Sequence, residues 1–315
     1  MNAPRIAIVL PCYNEQEVLP TTARTLLDLL DRFSADGLVA PDSYILCSND
    51  GSRDATRRII ADLHAADPRL KGITLAHNRG QQPALLAGLM TVRDHCDAAI
   101  TIDADLQDNP EMMREMIELF RRGTDIVYGV RSSRDTDSWF KRVTAQSFYR
   151  FQNAMGLQTI YNHADYRLMS RRALDILSQY GESNLYLRGI MPDIGLSTAV
   201  VEYARTERTA GESKYPLSKM IALSIDGITS FTAKPMRIIF LVGLCLMVVD
   251  IMVALWVLYV HMAHHTVSGW SSLMLSVWFL GSLILMAIGI VGEYIGKIFV
   301  EVKHRPRYNI EEKIF

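Results

Sequence analysis

The sequence predicts an α/β protein: a mostly parallel sheet with helices on both faces, then interfacial helices and two C-terminal transmembrane helices. Three observations carry that reading. Short apolar runs alternate with helical patterns from residue 5 to residue 130, the order expected of a parallel sheet with crossover helices. Polar, acid-bearing segments follow the runs at residues 11–15, 49–54 and 103–108. No Lys or Arg occurs between Arg237 and Lys297, although the 315 residues carry 33 Lys plus Arg and 34 Asp plus Glu.

The elements follow in order. Residues 5–10 (RIAIVL) read as a strand ending at Pro11, and residues 18–33 as an amphipathic helix. Residues 44–47 form a second strand, which leads through Asp50-Gly-Ser-Arg-Asp54 into a helix ending near residue 66. Residues 72–76 precede a helix over 83–95. Residues 98–102 run into Asp103-Ala-Asp-Leu-Gln-Asp108 and a helix over 111–122, and residues 126–130 form the fifth strand. In such sheets ligands sit beyond the carboxyl ends of the strands, so the three polar segments should share one rim.

The Lys- and Arg-free tract divides into an apolar run over 238–260, a short connection over 261–269, and a second run over 270–295. Each is long enough to cross roughly 30 Å of hydrocarbon as a helix. Asp250 opposes insertion by about 2.5 to 3.5 kcal/mol, but the first run holds 15 Leu, Ile, Val or Phe residues at roughly -0.3 to -0.6 kcal/mol each. Lys234 and Arg237 precede the pair, and Lys297, Lys303, Arg305 and Arg307 follow it. Both termini and the first domain are therefore expected on the cytoplasmic side of the inner (cytoplasmic) membrane. Residues 1–9 lack the apolar stretch of a signal peptide. Asp250 and Glu293 read as polar contacts between helices or between subunits of a homo-oligomer.

Composition excludes several classes. A formal net charge of -1 offers no basic excess for a nucleic-acid footprint. Cys12, Cys47, Cys96 and Cys245 lack the spacing of a zinc site or disulfide framework. No glycine-rich dinucleotide fingerprint or P-loop follows any strand.

Asp103 and Asp105 stand two apart at a strand end, so their side chains share a side if the extended geometry persists through Asp105. Paired carboxylates repel unless a cation lies between them, and hard oxygen ligands suit Mg²⁺ or Mn²⁺. The competing role is capping of the next helix, for which Asn109 before Pro110-Glu111 is also a candidate. Phosphates would fall to Arg131, Arg134, Arg205, Arg208 and Lys214, which could equally face anionic lipid headgroups. Residues 215–234 have the pattern of helices lying in an interface, or of a packed connector. Residues 139–155 read as an amphipathic helix, a lid or part of the core.

Pro11-Cys-Tyr-Asn-Glu15, Asn49-Asp-Gly-Ser-Arg-Asp54, Asp103-Ala-Asp-Leu-Gln-Asp108, Asp165-Tyr-Arg-Leu-Met169, Arg208-Thr-Ala-Gly-Glu-Ser-Lys-Tyr215 and Gly292-Glu-Tyr-Ile-Gly296 together resemble the polyprenyl-phosphate glycosyltransferases of glycosyltransferase family 2. The likeness is greatest to the bactoprenol glucosyl transferase branch. The resemblance implies a GT-A-like (Rossmann-like) domain over 1–210, interfacial helices over 211–236, two transmembrane helices over 237–296 and a cytoplasmic tail over 297–315. It implies an inverting enzyme that moves glucose from UDP-glucose to undecaprenyl phosphate. Pro11, Tyr13, Asn14, Glu15, Asp50, Asp103 and Ala104 would surround the nucleotide. Asp103, Asp105 and Gln107 would hold Mg²⁺ or Mn²⁺. Asp105 and Asp165 would be the catalytic acids, with Asp165 a base or an organiser on the acceptor side. Arg131, Arg208, Ser213 and Lys214 would bracket the donor and lipid phosphates. Asn49 stands where many relatives have Asp, and His77-Asn-Arg-Gly80 replaces a more usual Arg-Asn-Phe-Gly, which leaves the role of Arg79 open.

Alternatives keep the fold and change the donor to a mannose or aminoarabinose type, or make the chain a non-catalytic membrane scaffold. A processive synthase is disfavoured because no Gln-x-x-Arg-Trp occurs.

Overall fold

The central strands are apolar almost throughout, as strands covered on both faces must be. In the computed structural model β1 (Ile6–Cys12) lies between β2 (Tyr44–Asn49) and β4 (Ala98–Thr101), with β3 (Leu70–Leu75) beyond β2, all parallel. The structure describes residues 3–131, 163–182, 187–203 and 269–315, and positions 239, 245, 248, 252 and 255. The chain divides into two compact units: Met1–Tyr149, Gln158–Lys214 and Arg305–Phe315 form the first, Arg150–Leu157 and Tyr215–His304 the second.

The first unit holds one eight-stranded sheet in the order β7-β5-β6-β4-β1-β2-β3-β8. Its helices follow the apolar spacing of their sequences. Helix α1 (Leu19–Ala35) buries Leu19, Ala23, Leu26, Leu29, Leu30 and Phe33. Helix α2 (Thr56–Ala66) packs on β3 through Ile60. Helix α3 (Gln81–Val92) is apolar on most sides and packs against β1 and β2. Gly88 permits that approach, since a Cβ there would lie 2.5 Å from Val9 Cγ1. Helix α4 (Met113–Arg121) buries Met113, Met116 and Ile117.

All five predicted strands are present, including β5 (Ile126–Arg131), and three more join them. Strand β6 (His163–Ser170) inserts antiparallel between β4 and β5, and β7 (Thr198–Tyr203) pairs parallel with β5. Helices α5 (Arg171–Leu177) and α6 (Leu187–Asp193) lie between them in sequence. Strand β8 (Ile310–Ile314) adds antiparallel to β3 at the other edge. Strands β6 and β8 escaped the sequence reading because His163, Asp165 and Arg167 break the apolar run in β6, while β8 carries three charges in five residues.

The second unit contains helix α7 (Trp270–Val302), 33 residues long, which outruns the predicted span over 270–295. It exposes Leu273, Val277, Ile284, Ile288, Ile295 and Phe299 along its length. Among the described residues taken alone, no helix is long and apolar enough to cross a membrane; several α7 side chains, Trp278 and Leu285 among them, are outside that description. Most of the 238–260 run, the interfacial segment 211–236, the 139–155 helix, Asp250 and the Glu293 side chain also lie outside the described residues. The predicted tail over 297–315 divides: α7 takes residues to Val302, and residues from Arg305 belong to the first unit.

Candidate active site

Because β1, β2 and β4 are parallel and in register, with Cys12 opposite Asn49 and Val9 opposite Thr101, their carboxyl ends form one rim. The segments after β1 and β2 lock together by hydrogen bonds. Asn14 adopts a left-handed backbone (φ 56°), a conformation Asn tolerates better than most residues. Its N–H donates to Ser52 Oγ (3.0 Å), the Glu15 N–H to Thr56 Oγ1 (2.9 Å) and the Gln16 N–H to Asp54 Oδ2 (3.2 Å). Arg53 N–H donates back to Asn14 Oδ1 at 2.9 Å. Tyr13 is left 41% exposed on this braced loop, an aromatic ring presented to solvent. Asn14, Glu15, Gln16, Arg53 and Asp54 line an open cavity of about 480 Å³.

Asp50 is 2% exposed. Its Oδ1 accepts from Arg79 N–H (2.7 Å) and its Oδ2 from Gly80 N–H (2.8 Å), so both oxygens hold the loop after β3. Burial pushes the Asp50 carboxyl above its usual range, against the pull of those two donors. Gly51, at φ 62°, meets the same loop: a Cβ there would lie 2.8 Å from the His77 carbonyl carbon. The open role of Arg79 thus resolves in part, since its backbone fixes Asp50 while its side chain is exposed. Asn49 is fully buried, with Oδ1 accepting from Ser52 N–H at 3.1 Å. Asp54 is drawn upward by partial burial, but the Thr56 and Gln16 donors outweigh this and hold it below its usual range.

After β4 the chain turns sooner than the same-side argument for Asp103 and Asp105 required. Strand β4 ends at Thr101, and Ala104 and Asp105 form a turn. The Leu106 N–H bonds back to Asp103 O (3.2 Å), and Leu106 takes φ 47°. The turn is held from outside: Thr22 Oγ1 donates to Ala104 O (2.6 Å) and Gln81 Nε2 to Asp103 Oδ1 (2.8 Å). Asp103 is half-buried and Asp105 exposed. Asn109 takes the helix-capping role, accepting from Glu111 N–H at 3.1 Å, so the two acids are not needed as caps. Gln107 is 4% exposed and gives its backbone N–H to Asp105 Oδ1 (3.3 Å). The donor set of Asp103 and Asp105 suits a hard divalent cation, whereas Gln107 is placed to steady Asp105. Among the described residues, no group of three or more His, Cys, Asp or Glu side chains comes together as a metal cage, so phosphate and water would complete any shell.

Asp165 enters from β6. The β4–β6 register pairs Thr101 with Arg167, two residues along β6 from Asp165. The Thr101 hydroxyl donates to Asp165 O. Asp165 forms an ion pair with Arg167, their side chains 5% and 1% exposed. Arg167, Gln81, Thr22 and Thr101 were missed by the sequence reading. Arg167 was legible, because residues two apart on a strand share a face. Arg131 ends β5 opposite Tyr203, and Arg134, Arg205, Arg208, Ser213 and Lys214 lie outside the described residues.

Residues 7–177 match the family described as glycosyl transferase family 2. The chain belongs to this family. It is a glycosyltransferase with a GT-A-like α/β domain. It is 47% identical to the uncharacterized glycosyltransferase YkoT of Bacillus subtilis over 99% of this chain and 93% of that protein. It is 39% identical to the bactoprenol glucosyl transferase of Shigella phage SfV, covering 98% of this chain and 99% of that one. Among solved structures, glucosyl-3-phosphoglycerate synthase from Mycobacterium tuberculosis matches at 21% identity and TM-score 0.43, over 72% of this chain and 78% of that chain.

Proposed function

We propose that this family 2 glycosyltransferase is a membrane-bound, inverting enzyme that transfers glucose from UDP-glucose to undecaprenyl phosphate. The observation that carries the reading is the 39% identity, over nearly the full length of both chains, to proteins named bactoprenol glucosyl transferase. The rim supports it with an exposed Tyr13 and a half-buried Glu15 for the base and ribose, and two acids on a braced turn for the diphosphate.

In this reading the acceptor phosphate oxygen attacks the anomeric carbon as the bond to the UDP oxygen breaks, and UDP leaves from the opposite face. A phosphate monoester has its second pKa near about 6, so the acceptor is mostly dianionic at pH 7 and scarcely needs a base. Asp165, ion-paired with Arg167, acts as an organiser of the acceptor side. Bound Mg²⁺ or Mn²⁺, held by Asp103 and Asp105, would supply charge stabilisation on the departing diphosphate. Arg131, Arg208, Ser213 and Lys214 take the remaining phosphate charge. The membrane reading rests on the 238–260 run and on α7. At about 1.5 Å per residue the 33 residues of α7 reach about 50 Å, beyond the roughly 30 Å of hydrocarbon. Both termini then face the cytoplasm, and Asp250 and Glu293 bring subunits of a homo-oligomer together.

The test is transfer of radiolabelled sugar from a panel of nucleotide sugars to undecaprenyl phosphate in detergent, with Mg²⁺ or Mn²⁺ against EDTA. Labelling from UDP-glucose that EDTA abolishes, and that Asp103→Ala or Asp105→Ala lowers by about 100-fold or more, is expected. Labelling from a mannose or aminoarabinose donor instead would move the sugar. No labelling from any donor by folded protein would favour the scaffold.

A further inference from the structure

The C-terminal segment docks on the first unit beside the loop that Asp50 holds. Strand β8 pairs Gly72 with Ile314, Ile73 with Lys313 and Thr74 with Glu312, and the register shifts before Leu75 meets Ile310. The pairing continues past the end of β3, where Ala76 N–H donates to Asn309 O at 2.9 Å. Side chains fasten the segment on both flanks. Arg57 on α2 meets Glu311 at 3.2 Å and Glu312 at 2.8 Å. Lys71 Nζ lies 4.5 Å from the Tyr44 ring centroid and 4.9 Å from that of Phe315. Arg307 donates to the Tyr180 carbonyl.

Ala76 is the first residue of a short stretch that reaches both acid segments of the rim. Three residues on, the Arg79 and Gly80 N–H groups hold the two oxygens of Asp50, and Gln81 Nε2 holds Asp103. A continuous path of hydrogen bonds and backbone therefore runs from Asn309 through residues 76–81 to Asp50 and Asp103. Only Lys303 and His304 separate Val302, the end of α7, from Arg305.

We propose that the docked segment 305–315 is a positioning element of the donor site. By adding a strand to β3 and fixing Ala76, it sets residues 77–81 against Asp50 and Asp103, so its release weakens nucleotide binding although none of its residues touches the nucleotide. The proposal rests on the nucleotide-sugar reading of the rim.

The experiment uses the full chain in detergent and measures UDP affinity by calorimetry, donor KM and kcat, and amide exchange at Ile73 to Ala76. The double variant Glu311→Lys/Glu312→Lys sets positive charge against Arg57, and Arg57→Glu added to it restores opposite signs. A deletion of residues 306–315 removes the strand outright. Release is expected to raise the UDP dissociation constant and donor KM about fivefold or more. At saturating donor kcat should change little, Ala76 should lose exchange protection, and Arg57→Glu should reverse the effect of the double variant. Unchanged UDP affinity and donor KM in either folded variant, even with a lowered melting temperature, overturns the proposal. Wild-type protein that fails to bind UDP fails before any substitution, and removes the nucleotide reading itself together with the proposal.

Discussion

Asp165 and Arg167 show how one buried pair ties stability to chemistry. With 5% and 1% of their side chains exposed, neither charge can turn to water if the other is lost. Removing one partner of a buried pair costs about 3 to 5 kcal/mol, while replacing both with apolar residues of similar volume is often neutral. Arg167→Met should therefore lower the urea midpoint strongly, and Asp165→Leu/Arg167→Met should recover most of that loss while remaining inactive in the transfer assay. A double variant as unstable as the single one would show that the pair does not account for the stability. The acid was legible in the sequence from its motif, and the arginine from its spacing alone. The Gln81 contact to Asp103 was not legible, because it joins residues 22 apart through the placement of α3.

At the level of elements, the fit of α3 to the sheet depends on a missing side chain. A Cβ at Gly88 would lie 2.5 Å from Val9 Cγ1 and 3.3 Å from Ser48 Cβ. Extra atoms in a packed core cost typically about 1 to 3 kcal/mol. Gly88→Ala should thus destabilise by about that amount despite the helix propensity gained, and Val9→Ala in the same chain should return part of it, both read from denaturant midpoints. The five alternating strands were legible because each is a continuous apolar run followed by a polar turn. Strand β6 was not, since a strand that carries the Asp165 and Arg167 pair trades apolar residues for that pair. The turn at Ala104 was also hidden: period-two reasoning extends a strand until a backbone hydrogen bond ends it, here from Leu106 to Asp103.

For the molecule as a whole, acid is the informative stress. The Arg69 side chain beside Asp67 holds that carboxyl below its usual range, partial burial working the other way. Asp54 is lowered too, because its donors outweigh the upward effect of burial. A depressed carboxyl contributes stability that is present above its unfolded pKa, about 3.9 for Asp, and lost as pH falls through the folded value. The stability contributed by Asp54 and Asp67 should hold near neutrality and decline below about pH 4. Asp54→Asn should flatten that decline in a series of urea melts, and an unaltered slope would assign acid unfolding to other groups. Strand β8 has a consequence for synthesis. It closes an edge formed by residues 70–75 with residues 310–314, so on the ribosome β3 must wait, bare on one side, until residues 310–314 have been made. An unpaired strand edge is a template for joining another chain, and domains made N-terminal first expose such edges while they wait. Prematurely terminated products should therefore be the aggregating fraction in expression, and a peptide spanning residues 305–315 supplied in trans should reduce that loss.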